Sequence, residues 1–166
     1  MILTLCGMMG AGKTTVGKKL ADITDMQCVD TDAVIEEKYG KITDIFDKYG
    51  EEYFRALETE TVQSLCEKDE VILSVGGGLV LRKANVELLK SVGKIVYLRA
   101  KKETLVQRLR LDDSRPLLKG EDVEKRIEKL LCARADIYER VADYTIDVDG
   151  KNPETIALEI VKNIKK

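Results

Sequence analysis

The sequence predicts an α/β protein: a three-layer α/β/α sandwich with a five-stranded parallel sheet. Two observations carry this. Short β-branched runs alternate along the 166 residues with longer stretches of helical period, as βαβ units require. The first of those runs, "ILTLC" (2–6), leads into "GMMGAGKT" (7–14), a glycine-rich turn between an apolar strand and an amphipathic helix.

The elements follow in order. After "ILTLC", Val16, Leu20 and Ile23 share one helical face, and "QCVD" (27–30) is the second strand. Phe54, Leu57, Val62 and Leu65 form the next apolar stripe, followed by the strands "VILSV" (71–75) and "KIVYL" (94–98). Val123, Ile127, Leu130 and Leu131 mark another helix, and "YTIDV" (144–148) is the fifth strand. The last helix, with Ile156, Ile160 and Ile164 inward, starts at Asn152-Pro153, a capping residue followed by proline at the first helical position. Between two helical patterns lies "LDDSRPLLKGED" (111–122), polar and punctuated by Pro116 and Gly120, which reads as a mobile lid inserted in a single domain spanning 1–166.

Composition narrows the function. Lys and Arg total 28 against 30 Asp and Glu, a formal charge of −2, so no basic face and no nucleic-acid partner is expected. The cysteines Cys6, Cys28, Cys66 and Cys132 are scattered without a CxxC pair and read as buried thiols of a reducing compartment. The start "MILTLCG" lacks the basic region of a signal peptide, and no apolar run reaches membrane-spanning length. A cytoplasmic monomer without membrane or nucleic-acid partners is the expectation. The chain contains no histidine, so any proton acceptor must be a carboxylate or another side chain.

Gly7 to Thr14 matches G-x-x-x-x-G-K-[ST] in the strand–loop–helix setting that a phosphate-binding loop requires. The backbone of Gly10, Ala11, Gly12 and Thr15 is placed to wrap phosphate, Lys13 to reach the β- and γ-phosphates, and the Thr14 hydroxyl to ligate Mg²⁺. The loop marks a nucleotide site, and no Asn-Lys-x-Asp guanine signature is present.

The acceptor must be sought elsewhere. "DTD" puts Asp30 and Asp32 at the carboxyl end of the second strand, two apart in extended chain and so pointing the same way, where one can serve Mg²⁺ and the other a substrate hydroxyl; a lesser reading, compatible with this one, has Asp32 capping the helix that follows. Arg55 and Glu58 lie three apart in "EEYFRALETE", a spacing that also describes a surface ion pair. "VILSVGGGLV" ends a strand in Gly76, Gly77 and Gly78, excluding side chains where backbone can lie against a ligand. Arg134 stands where the period from Ile127 and Leu130 asks for an apolar residue, and Tyr138 continues the same stripe. It either snorkels to the helix edge or grips an anion in a cleft.

Together, "GMMGAGKTTVGKKLA", "DTD", "FRALE", "GGG", "SRPLL" and a late arginine four residues before tyrosine resemble shikimate kinase, of the P-loop nucleoside-monophosphate-kinase-like fold. The resemblance runs over nearly the whole chain. It implies transfer of the ATP γ-phosphate to the 3-hydroxyl of shikimate, giving 3-phosphoshikimate and ADP in aromatic amino-acid biosynthesis. By that resemblance Asp32, Arg55, Gly77 and Arg134 would bind shikimate, Arg55 and Arg134 on its carboxylate. Thr14 and Asp30 would serve Mg²⁺, Arg115 would be the lid arginine, and Arg108 with the "DGKNP" turn, including Lys151, would lie near adenine. The chain departs from the family pattern in Asp136 and Ile137, where proline and leucine are usual, and in Lys151, where arginine is common. The alternatives are a gluconate or nucleotide kinase of the same fold, or a catalytically silent regulatory relative; intact Lys13, Thr14, Asp32 and Arg115 speak against the last.

Overall fold

The computed structural model describes residues 1–111 and 122–166. Five parallel strands, β1 (Ile2–Cys6), β2 (Gln27–Asp30), β3 (Val71–Ser74), β4 (Gly93–Arg99) and β5 (Tyr144–Asp147), lie in the order β2-β3-β1-β4-β5. Every residue of β1 and β3 is buried. Because successive strand residues face opposite ways, both faces of the sheet must be covered, which is the three-layer arrangement. Val75 and Val148 fall just outside the strands yet continue the ladder, donating to the Leu5 and Arg99 carbonyls at 3.2 and 2.9 Å.

The helices among the described residues are α1 (Lys13–Thr24), α2 (Thr31–Tyr39), α3 (Ile42–Tyr49), α4 (Glu51–Leu65), α5 (Lys83–Val92), α6 (Lys102–Leu111), α7 (Val123–Val141) and α8 (Pro153–Ile164), with a 3₁₀ turn at Leu79–Leu81. The expected cap of α8 is present: Asn152 Oδ1 accepts from Thr155 N at 2.8 Å, with Pro153 leading the helix. In α1, Val16 and Leu20 are buried, but Ile23, in the last turn, is 39% exposed.

Two expectations are corrected. The cap of α2 is Asp30, whose Oδ1 accepts from Asp32 N at 2.9 Å and Ala33 N at 3.2 Å; Asp32 is already in the first helical turn rather than in extended chain. Of the four cysteines only Cys6 is buried; Cys28 and Cys66 are half-buried, Cys132 is exposed, and all are free thiols.

The main core lies around the sheet. A second, small cluster joins Ile35 of α2, Ile45 of α3, and Phe54 and Leu57 of α4, with Phe46 and Phe54 rings 4.9 Å apart. This cluster seats the helix that carries Arg55. Register does the rest of the positioning: Asp30 pairs with Ser74, Ser74 with Leu5, and Cys6 with Tyr97. The carboxyl ends of β2, β3, β1 and β4 therefore meet along one edge, where open parallel sheets bind their ligands.

Candidate active site

That edge opens into a cleft of about 540 Å³, within the range of small-molecule sites. The glycine-rich loop after β1 forms its floor. Gly12 precedes α1 with φ of 93°, a left-handed conformation that needs glycine and lets the loop turn directly into the helix. Lys13 Nζ donates to the Gly7 and Met8 carbonyls at 2.6 and 3.0 Å, which holds the ammonium over the loop. Gly10, Ala11, Gly12, Thr14 and Thr15 line the cleft with it.

Thr14 Oγ1 donates to Asp30 Oδ2 at 2.8 Å and lies 3.2 Å from Ser74 Oγ. With its proton given to the carboxylate, Thr14 accepts from Ser74. These oxygens are a donor set for a hard cation. Among the described residues no group of three His, Cys, Asp or Glu could hold a metal, so a cation here would draw its other ligands from phosphate and water.

On one flank of the loop, Arg108 Nη1 donates to the Gly10 carbonyl at 3.0 Å. Lys151, Pro153 and Ile156 line the same cleft, with Lys151 Nζ held 2.8 Å from Glu159. Asp149 ties this flank together: its Oδ1 accepts from Lys101 N at 3.0 Å and Thr104 Oγ1 at 2.6 Å, linking the turn before α8 to the start of the helix that carries Arg108.

On the other flank the three consecutive glycines each lie against a different charged side chain. A Cβ at Gly76 would stand 2.8 Å from Asp32 Oδ1 and 3.2 Å from Glu58 Oε2. One at Gly77 would stand 3.2 Å from Arg134 Nη1, and one at Gly78 would overlap the Arg55 guanidinium, 2.6 Å from its Cζ and Nη2. The run of glycine is thus explained by close approach. Asp32, Arg55 and Arg134 all line the cleft, and Arg134 projects into it rather than snorkelling away.

Of the two readings of Arg55 and Glu58, the surface ion pair is the one that fails: the pair forms, but inside the cleft wall. Arg55 Nη1 meets Glu58 Oε1 at 2.6 Å, and Glu58 is 1% exposed. Burial pushes the Glu58 carboxyl up from its ordinary value, Arg55 pulls it down, and nearby Asp32 adds to the rise. Its second oxygen, Oε2, has no hydrogen-bond partner among the described residues. Sequence reasoning had left Glu58 out of the site, although the signal was present. The α4 stripe runs 54, 57, 58, 61, 62, 65, and Glu58 occupies an inward position of it, as Arg134 does in α7. Ser74 and Tyr138 were also missed; a serine ending a buried strand and a tyrosine on an apolar stripe carry no local mark of function.

Arg115, expected to be the lid arginine, lies outside the described residues, as does most of the segment 111–122.

A family model described as shikimate kinase matches residues 9–165. The chain belongs to the shikimate kinase family. A shikimate kinase of Caldanaerobacter subterraneus is 42% identical over 161 residues, covering 96% of this chain and 94% of the relative. That of Thermodesulfovibrio yellowstonii is 41% identical over 165 residues, 99% of this chain and 95% of the relative. Among solved structures, the shikimate kinase of Acinetobacter baumannii in complex with shikimate superposes with a TM-score of 0.92 at 39% identity, covering 99% of this chain and 92% of the other. The Bacteroides thetaiotaomicron enzyme gives a TM-score of 0.93 at 31% identity, covering all of this chain and 99% of the other. The family's P-loop kinase fold and its use of ATP as phosphate donor are those of this chain.

Proposed function

We infer that the chain transfers the γ-phosphate of ATP to the 3-hydroxyl of shikimate, releasing ADP and 3-phosphoshikimate in aromatic amino-acid biosynthesis. The observation that carries this is the meeting, in one cleft with the phosphate loop, of Asp32 and two arginines against bare glycine backbone. Two guanidiniums suit a carboxylate, the glycines allow close approach of a small ring, and Asp32 suits a hydroxyl.

In this reading Arg55 and Arg134 bind the acceptor's carboxylate, the Gly76–Gly78 backbone lines its ring, and Asp32 orients the attacking hydroxyl and accepts its proton. Lys13 spreads the charge of the transferring phosphoryl group, and Arg108 and Lys151 flank the adenine. Positioning and charge neutralisation supply most of the catalysis of phosphoryl transfer. Thr14 and Asp30 would hold Mg²⁺, which when bound neutralises the phosphate oxygens. Arg115, outside the described residues, is proposed to close on the phosphates from the 111–122 lid of a single domain.

A nucleotide acceptor would call for base-reading groups on the acceptor flank, where the cleft offers two arginines and glycine backbone. We further propose a cytoplasmic monomer without nucleic-acid or membrane partners; among the described residues no helix is long and apolar enough to cross a membrane. An ADP-release assay run separately with shikimate, gluconate, AMP and CMP tests the reading. Turnover with shikimate that stops on chelation of Mg²⁺ is expected, and turnover only with another acceptor would replace it.

A further inference from the structure

Tyr138 is fully buried in α7, four residues after Arg134. Its ring tilts against that of Tyr97 in β4 with centroids 5.0 Å apart, packing that phenylalanine would supply equally. The hydroxyl adds something else. It donates to the Gly77 carbonyl at 2.5 Å, joining α7 to the middle of the glycine run. A Cβ at Gly77 would stand 3.2 Å from Arg134 Nη1 and 3.5 Å from this same hydroxyl, so arginine, tyrosine and glycine backbone form one group. Burial drives the phenol up to about 12 against the pull of Arg134, so the hydroxyl keeps its proton at neutral pH and stays a donor.

Consecutive glycines leave the intervening peptide free to take several orientations, and something outside the run must choose one. A trans peptide is planar, with its C=O and N–H opposed, and no cis bond is present among the described residues. With the Gly77 carbonyl turned to Tyr138, the Gly78 N–H of the same peptide turns the opposite way, and both glycines line the cleft. We propose that Tyr138 is a positioning residue for the acceptor: its hydroxyl fixes the Gly77–Gly78 peptide so that the Gly78 N–H donates into the pocket beside Arg134. The proposal rests on the acceptor pocket described under the proposed function.

The test is Tyr138→Phe, which keeps the ring and removes the hydroxyl. Loss of one buried hydrogen bond should raise the KM for shikimate roughly tenfold while kcat and the KM for ATP stay within about twofold. In the unaltered protein, saturation with shikimate should shift the Gly78 amide resonance downfield, and in the variant that response should shrink. An unchanged shikimate KM overturns the proposal. So does a parallel loss of kcat, both KM values and thermal stability, which would mark a structural role. Should the variant fail to fold, the unaltered protein decides: a Gly78 amide indifferent to shikimate overturns the proposal. An unaltered chain that does not phosphorylate shikimate defeats the functional reading itself, whereas an active chain with any of the other adverse outcomes defeats only the role of Tyr138.

Discussion

Arg55 Nη1 donates to Glu58 Oε1 at 2.6 Å, and the carboxylate that receives it is sealed from solvent between α4, Gly76 and Asp32. One of the arginines lining the cleft is thus held by a buried carboxylate of its own helix. Removing that anion leaves the guanidinium with the exposed Glu51 at 3.4 Å and the Phe54 ring as its contacts among the described residues. Burial holds the folded Glu58 pKa above its ordinary 4.5. A carboxyl raised in this way binds its proton more tightly folded than unfolded, so its contribution to stability is full below 4.5 and is lost as pH rises through the raised value. Glu58→Gln should therefore flatten the decline of stability above 4.5, read as thermal midpoints of both proteins across pH. A difference between the two that stays constant with pH would contradict this.

Arg55→Ala or Arg134→Ala should mainly weaken the acceptor. Each charge-assisted contact contributes on the order of 1.5–3 kcal/mol, so the KM for shikimate should rise roughly ten- to a hundredfold with the KM for ATP little changed. Lysine should rescue only in part, because a point charge lacks the planar fork. A shikimate amide is the control: variants that keep the full preference for acid over amide would show that the arginines do not read the carboxylate.

Gly78→Ala separates close approach from backbone freedom. Gly78 has φ −95° and ψ −5°, open to any residue, so the backbone tolerates alanine, yet the new methyl would occupy the space of the Arg55 guanidinium. Shikimate affinity should fall with little change in Tm. Gly50 is the converse, with φ 84° and nothing within 4 Å of an added Cβ, so Gly50→Ala should cost about 1–3 kcal/mol of stability and leave the KM alone. Equal effects of the two on KM would refute the distinction.

Lys13→Ala should lower turnover by orders of magnitude while leaving the thermal midpoint nearly unchanged, because the Gly7 and Met8 carbonyls that its ammonium meets are part-buried and can be met by water instead. Near-normal activity would remove the loop from the mechanism. Arg115→Ala should also act on kcat, the test of a residue known only from its sequence position.

What the sequence by itself determined is local. The Gly7–Thr14 loop, the five apolar runs, the Asn152-Pro153 cap and the inward stripes of α4 and α7 depend on residues within a turn or two of one another, so period and motif expose them. Parallel strands covered on both faces read as continuous apolar runs, which is why β1 and β3 were legible; α3, only 8 residues between Gly40 and Gly50, gives too little period to stand out. Tertiary structure decided the rest. That Asp30 caps α2 while binding Thr14, that Glu58 is buried, that each glycine of 76–78 faces a different charge, and that Tyr138 grips Gly77 all join residues brought together by the strand order β2-β3-β1-β4-β5. Such partners are set by which strand ends become neighbours, and a pattern of period 2 or 3.6 along the chain carries no information about that.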